Sequence, residues 1–223
     1  MKKLLLSCLM LLSMAGFAST EVEKTFGLLG GLSLSKLSYE NGSPSDYRKG
    51  PLFGLDIEFP LSSHIFFVPS VYAVQKGDEN PLGSTQLSYL ELALTPKIKS
   101  SSDGTGLYFL IGPYLATILS RNQTSTSGAQ TALSSDQVKN SEGGIVAGVG
   151  FETLLSHHYS LYLEGRYSMG MSSSLEGTSA KNQGLYINLG FHYIDREDIE
   201  SNLERAEEFV KKKSEPSATS PIE

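Results

Sequence analysis

Apolar residues alternate with polar or small residues along most of the chain between Thr25 and Ile194. In the last and clearest run, one face carries Leu185, Ile187, Leu189, Phe191 and Tyr193, and the other carries Tyr186, Asn188, Gly190 and His192. A period of two residues is typical of a β-strand whose two faces meet different surroundings. The pattern therefore predicts an all-β chain.

Eight segments carry this alternation, and all of them are long. They span roughly 25–37, 50–60, 64–76, 85–99, 105–119, 142–154, 158–172 and 182–194. A tilted strand needs about 9 to 11 residues to cross a bilayer, whereas strands of soluble proteins average about 5 to 6 residues. The lengths favour strands that cross a membrane.

The connections between these segments alternate strictly between long and short. The long ones are 38–49, 77–84, 120–141 and 173–181, and the short ones lie near 61–63, 100–104 and 155–157. Barrels of the outer membrane have long outer loops and short periplasmic turns. Residues 19–194 are therefore predicted to form an eight-stranded antiparallel transmembrane β-barrel, monomeric, in contact with outer-membrane lipid and with both ends in the periplasm.

The polar face of the predicted strands carries charges in mid-strand, which distinguishes a membrane barrel from a soluble one with an apolar interior. These residues are Asp56, Glu58, Glu91, Lys97, Glu152, Glu164 and Arg166. Since the interior of an eight-stranded barrel is just wide enough to be filled by side chains, we expect some of the acids to pair with Lys97 and Arg166. The set predicts a structural polar network in the lumen and little conductance.

The first eighteen residues have the three parts of a secretory signal peptide. Lys2 and Lys3 precede an apolar stretch from Leu4 to Met14, and small residues lie at Gly16 and Ala18. We predict cleavage after Ala18. The single cysteine, Cys8, lies in this segment, so a disulfide framework or a thiolate metal site is excluded. No apolar run of 18 residues follows, so no transmembrane helix is predicted.

The charge of the chain argues against a nucleic-acid partner. The formal net charge is −6, and no cluster of lysine and arginine offers a surface for nucleic acid.

The segment 195–213 is predicted to form an amphipathic periplasmic helix. Acidic residues from Asp195 mark its start and Lys211 to Lys213 its end, which suits the helix dipole. One stripe carries Ile199, Leu203, Ala206, Phe209 and Val210. This helix is either a solvated extension or a docking surface for a periplasmic protein, a cell-wall partner or the barrel mouth. Residues 214–223, with Pro216 and Pro221, are predicted to be a disordered tail.

The histidines give no sign of catalysis. His64, His157, His158 and His192 all lie near the predicted periplasmic end of the strands. Adjacent strand residues point to opposite faces, so His157 and His158 are poorly placed to share a metal. The sequence predicts no catalytic residue, no cofactor and no metal site.

Several short stretches resemble the small outer-membrane β-barrel proteins of the PorT-like kind, which are related in architecture to OmpA-, OmpX- and OmpW-type barrels. They include Glu58 to Leu61, Ser88 to Leu92, Gly112 to Leu115, Gly148 to Glu152 and Leu163 to Gly170. The resemblance implies an integral outer-membrane protein of a Gram-negative bacterium, some relatives being assembly factors for secretion or gliding machinery. Two other functions stay open: a narrow OmpW-like transporter of small apolar molecules, and a barrel-embedded lipid-modifying enzyme.

Overall fold

The chain folds into a closed barrel of eight long antiparallel strands, as the sequence predicts. The computed structural model describes residues 24–39, 45–80, 83–102, 104–125, 129–132, 139–172 and 180–195. The strands are β1 (Lys24–Tyr39), β2 (Asp46–Pro60), β3 (Ile65–Asn80), β4 (Gly83–Lys99), β5 (Gly106–Ser125), β6 (Gln130–Ala132), β7 (Ser141–Ser156), β8 (Tyr159–Gly170) and β9 (Ala180–Asp195). Each long strand pairs with its neighbours in sequence, and β1 pairs with β9 to close the barrel.

The strands reach further at the long-loop end than the alternation indicates. The predicted loop 77–84 is wrong, because β3 continues to Asn80 and β4 begins at Gly83 in unbroken register. The predicted loop 120–141 likewise contains the end of β5 and the short strand β6, which pairs with β5. Backbone pairing continues into polar sequence here because a hairpin needs no alternation once its register is set.

The outer face of the barrel is apolar. Along β9 the even-numbered residues from Tyr186 to Ile194 are buried, whereas Leu189 is 56% exposed on the outside. Rings gather at the short-turn end of this face, where Tyr159 lies 5.2 Å from Phe191 and 5.7 Å from Tyr193 between ring centroids. Across the described ranges, no helix combines the length and apolar character that a membrane span requires.

Inside the barrel, four tyrosines lie directly opposite glycines of the neighbouring strand. The pairs are Tyr72 with Gly54, Tyr108 with Gly150, Tyr114 with Gly144 and Tyr162 with Gly190. A Cβ atom built on any of these glycines would lie between 2.1 and 2.6 Å from the facing ring. The inward glycines therefore leave room that the tyrosine rings fill.

The last strand, β9, extends to Asp195, the residue at which the predicted C-terminal helix starts. Asp195 pairs with Lys24 as the last residue of β9, so the predicted helix does not begin there. The predicted signal peptide, the rest of the C-terminal helix, its apolar stripe and the disordered tail lie outside the described residues.

Candidate functional site

All seven charged residues predicted to face the lumen are buried inside the barrel. None of Asp56, Glu58, Glu91, Lys97, Glu152, Glu164 and Arg166 is more than 4% exposed. The barrel brings them together with Lys76, Glu142 and His192, which are also buried, and with Lys99. A buried charge is costly unless it is paired and hydrogen-bonded, so the contacts of each group decide what the lumen can do.

The cluster nearest the short turns is built around two lysines of β4. The Lys97 ammonium pairs with the Glu58 carboxylate, and its Nζ lies 3.1 Å from Oε2 of Glu152. Lys99 Nζ lies 2.7 Å from Glu58 and 2.9 Å from Glu152. Lys97 also lies over the ring of Tyr108, with Nζ 3.8 Å from its centroid. Two cations thus bridge two acids from opposite walls of the barrel.

His192 extends this cluster across the lumen. Its Nδ1 lies 2.8 Å from Oε1 of Glu152, and its Nε2 lies 3.1 Å from Oδ1 of Asp56. The Tyr162 hydroxyl donates to Asp56 at 2.9 Å, and the Ser160 hydroxyl donates to Glu152 at 2.6 Å. The Ser160 hydroxyl and His192 Nδ1 therefore share one carboxylate oxygen of Glu152.

The middle of the lumen holds an ion pair between Glu164 and Arg166 of β8. Tyr108 and Asn188 each donate to the Glu164 carboxylate at 3.1 Å. The Arg166 guanidinium donates to the hydroxyl of Tyr72 and lies 5.0 Å from the centroid of its ring. The ion pair, the Asn188 amide and the two tyrosine side chains therefore fill the barrel at this level.

The cluster nearest the long loops surrounds Lys76. Its Nζ lies 2.8 Å from Oε2 of Glu91 and 3.2 Å from Oε1 of Glu142. Tyr114 donates to the same Glu142 oxygen at 2.7 Å, and Asn182 donates to the other oxygen. The ammonium also lies 4.7 Å from the centroid of the Tyr114 ring. One cation again joins two acids from different strands.

Four titratable residues of these clusters, Lys76, Lys99, Glu142 and His192, were not included in the network predicted from the sequence. Glu142 shares the face of Glu152 on β7, and Lys99 shares the face of Lys97 on β4, so strand parity alone could have placed both inside. His192 was placed on the polar face of β9 but was not assigned to the network. Lys76 lies on β3, where the inward face also carries Val68 and Val74. Apolar and polar residues do not alternate clearly in this strand, so the position of Lys76 along it does not show whether its side chain faces the lumen or the lipid.

Glu58, Glu152 and His192 offer ligand atoms within 4.8 Å of one another, the spacing of a metal site. The same carboxylates already hold the ammonium groups of Lys97 and Lys99. A divalent cation would have to displace both lysines. The geometry fits an ion-pair cluster and not a metal centre.

A cavity of about 190 Å³ opens at the short-turn end. Lys99 and Glu152 form its floor, and its walls include Ser62, Ser101 and Ile194. Its lining reaches Lys99 and Glu152 of the lysine cluster but does not include Lys97 or His192.

At the opposite end, above the apolar outer face, Tyr39 of β1 donates to Oδ2 of Asp78 at 3.2 Å. Burial, with the negative charge and hydrogen bond of Asp78, raises the pKa of the Tyr39 hydroxyl to about 12. The hydroxyl therefore stays protonated, and the contact holds β1 to β3 across β2.

A closed antiparallel barrel with an apolar outer face and a charged, side-chain-filled interior defines an integral barrel of the outer membrane. The chain belongs to the outer membrane protein beta-barrel domain family, whose sequence profile matches residues 18–176. Its location is accordingly the outer membrane of a Gram-negative bacterium.

Solved structures of similar shape share little sequence identity with the chain. Ail, the attachment invasion locus protein of Yersinia pestis, is 15% identical with a TM-score of 0.45, covering 78% of this chain and 100% of that one. OprG from Pseudomonas aeruginosa is 12% identical with a TM-score of 0.49, covering 79% and 97%. Neisserial surface protein A is 11% identical with a TM-score of 0.47, covering 75% and 96%. Among curated protein sequences none matches the chain.

Proposed function

We propose that this protein is a non-catalytic, monomeric outer-membrane barrel with a closed lumen and a structural, assembly or interaction role at the cell envelope. The observation that carries the proposal is the network of buried ion pairs, which bridges the barrel at three successive levels. The resemblance to PorT-like proteins, some of them assembly factors, supports a role in assembly. The short turns and both ends of the barrel would face the periplasm.

A closed lumen follows from the size and the pairing of the side chains that fill it. Arg166 and six lumen-facing tyrosines are large buried side chains, and the tyrosines are Tyr72, Tyr89, Tyr108, Tyr114, Tyr162 and Tyr186. An ion entering from either end would meet carboxylates and ammonium groups already neutralised by each other. Displacing one partner exposes the other as an unpaired buried charge, which costs several kcal/mol.

The wall offers little support for an OmpW-like lateral passage of apolar molecules. Pro96 and Pro113 lack N–H donors, and pairing between β4 and β5 lapses from Ala93 to Lys97. At this seam, however, a Cβ on Gly112 would lie 2.1 Å from the carbonyl oxygen of Leu94. The two backbones are in close contact where a lateral opening would be needed.

We expect no stepwise ion conductance from the purified mature protein in planar bilayers, because three layers of paired charges close the lumen. Single-channel recording in 1 M salt checks this, at a screening length on the order of 3 Å. A known porin reconstituted in the same lipid serves as the positive control. Regular current steps from homogeneous monomer would contradict the closed lumen and favour the transporter.

The apolar stripe of the predicted C-terminal helix is proposed to dock a periplasmic partner. We expect that replacing Ile199, Leu203 and Phe209 by serine, with the chain length unchanged, abolishes the crosslinks to partner proteins. The measurement is which crosslinked proteins are recovered with the purified barrel. A matched variant with serine at Glu200, Glu204 and Glu208, on the opposite face, should keep them. Identical crosslinks from both variants and from a chain ending at Arg196 would show that the segment is only a solvated extension.

A further inference from the structure

Three lysines form a basic patch on the outside of the barrel at its long-loop end: Lys36 on β1, Lys49 on β2 and Lys181 on β9. Lys49 lies opposite Leu34, Lys36 opposite Gln183, and Lys181 opposite Ser38. Lys36 is therefore the diagonal neighbour of the other two lysines. Diagonal neighbours on one face of a sheet have Cα atoms about 7–8 Å apart. Lys36 therefore lies between the other two lysines, and each pair that includes Lys36 can flank one anionic group.

Among the residues that the structure describes, the three lysines form no ion pair with an acid, and the exposed acids at this end, Asp46 and Glu79, lie opposite each other on β2 and β3. Lys36 instead lies over the ring of Tyr47, with Nζ 5.0 Å from its centroid. One buried acid at this end, Asp78, accepts a hydrogen bond from Tyr39 on the inner side. Neighbouring like charges repel each other, so an external anion would stabilise the patch.

The position of the patch relative to the apolar belt indicates where that anion lies. On β1 the outward residues run from Leu28 and Leu32, 62% and 57% exposed, to Lys36. On β2 they run from Leu55 and Phe53 up to Lys49. The lysines thus project sideways at the upper margin of the belt, where long cationic side chains reach the lipid headgroups.

We propose that Lys36, Lys49 and Lys181 bind the phosphate groups of a phosphorylated lipid in the outer leaflet. Charge complementarity and the lateral position of the patch at the margin of the apolar belt carry the inference. The assignment to the outer leaflet rests on the proposed orientation, with the long loops outside. It does not rest on the lumen being closed.

The test compares lipids that differ only in phosphate. The mature protein is reconstituted in nanodiscs of zwitterionic phosphatidylcholine and titrated with bisphosphorylated lipid A, with its dephosphorylated form and with inorganic phosphate. Because each basic residue near an anionic surface contributes about fivefold in affinity, the variant K36Q/K49Q/K181Q is expected to bind bisphosphorylated lipid A about a hundredfold more weakly. Binding to the dephosphorylated lipid should not change.

A charge-matched variant, K24Q/K139Q/K212Q, removes the same net charge and leaves the patch intact. We expect it to bind like the original protein. Equal weakening in both variants would reduce the effect to overall charge, and equal binding of the two forms of lipid A would rule out phosphate recognition. Saturation by inorganic phosphate at the same concentration would assign the patch to a free anion. All three results overturn the proposal.

The orientation is checked separately by labelling in whole cells. A cysteine placed at Ala129, in the long connection between β5 and β7, should react with a membrane-impermeant maleimide from outside. If it does not react while the lipid result holds, the patch binds phospholipid of the inner leaflet, and the outer-leaflet assignment is wrong. Conductance in planar bilayers tests the closed lumen independently of both results.

Discussion

Replacing Lys97 by methionine is expected to lower the free energy of unfolding by about 3–5 kcal/mol, the usual cost of removing one partner from a buried ion pair. Lys97 is 2% exposed and joins Glu58 to Glu152 across the lumen. Methionine keeps most of the side-chain length but leaves two carboxylates facing each other. Lys99 neutralises both only from the side of the mouth, where it is 11% exposed.

The measurement is urea unfolding in lipid vesicles, followed by tyrosine fluorescence and by the gel shift of the folded barrel, since the chain has no tryptophan. Lys99→Met is the matched control, with the same chemical change at a more hydrated site and a smaller expected loss of about 1–2 kcal/mol. Equal losses from the two variants would show that burial does not set the strength of the cluster.

A double variant separates lost pairing from lost packing. In Lys97→Met/Glu58→Gln, one of the two orphaned charges is removed together with its partner. If the unpaired carboxylate is the main cost, the double variant should be more stable than Lys97→Met alone by about 1–3 kcal/mol. If the lost stability comes from packing against Tyr108, the second substitution would give no recovery.

The period of two was sufficient to predict the barrel, because each strand separates lipid from lumen by itself. It placed Glu58 and Lys97 on inward faces, and the structure buries both. Which acid meets which base depends on register and on barrel closure. The contact of His192 with Asp56 joins residues far apart in sequence, and no pattern within one strand carries that information.

The same limit explains why the tyrosines were not assigned to the lumen network. Composition shows that tyrosine and glycine are both frequent, with 11 and 22 residues. Their pairing becomes visible only when Tyr162 and Gly190 are aligned across two strands. A one-residue shift in register would turn each ring to the lipid side, so these pairs reflect the register and help to keep it.

Gly190→Val is expected to destabilise the barrel by about 3–5 kcal/mol, because it drives Tyr162 from its place. A Cβ at residue 190 would lie 2.1 Å from the ring. Overpacking costs about 1–3 kcal/mol, and the displaced hydroxyl would give up its 2.9 Å hydrogen bond to Asp56, worth about 1.5–3 kcal/mol for a charged partner.

Gly165→Val is the matched control for this effect, since the lipid-facing Gly165 has no atom within 4 Å of an added Cβ. Valine suits a strand, so urea unfolding in vesicles should show no loss of stability there. Comparing Tyr162→Ala with Gly190→Val/Tyr162→Ala gives the cost of the valine when the ring is absent. If valine at residue 190 clashes with the Tyr162 ring, then in the Tyr162→Ala background it should lower the free energy of unfolding by less than about 1 kcal/mol. An undiminished cost would place the conflict in the backbone of β9 and remove the role assigned to Tyr162 in holding the register.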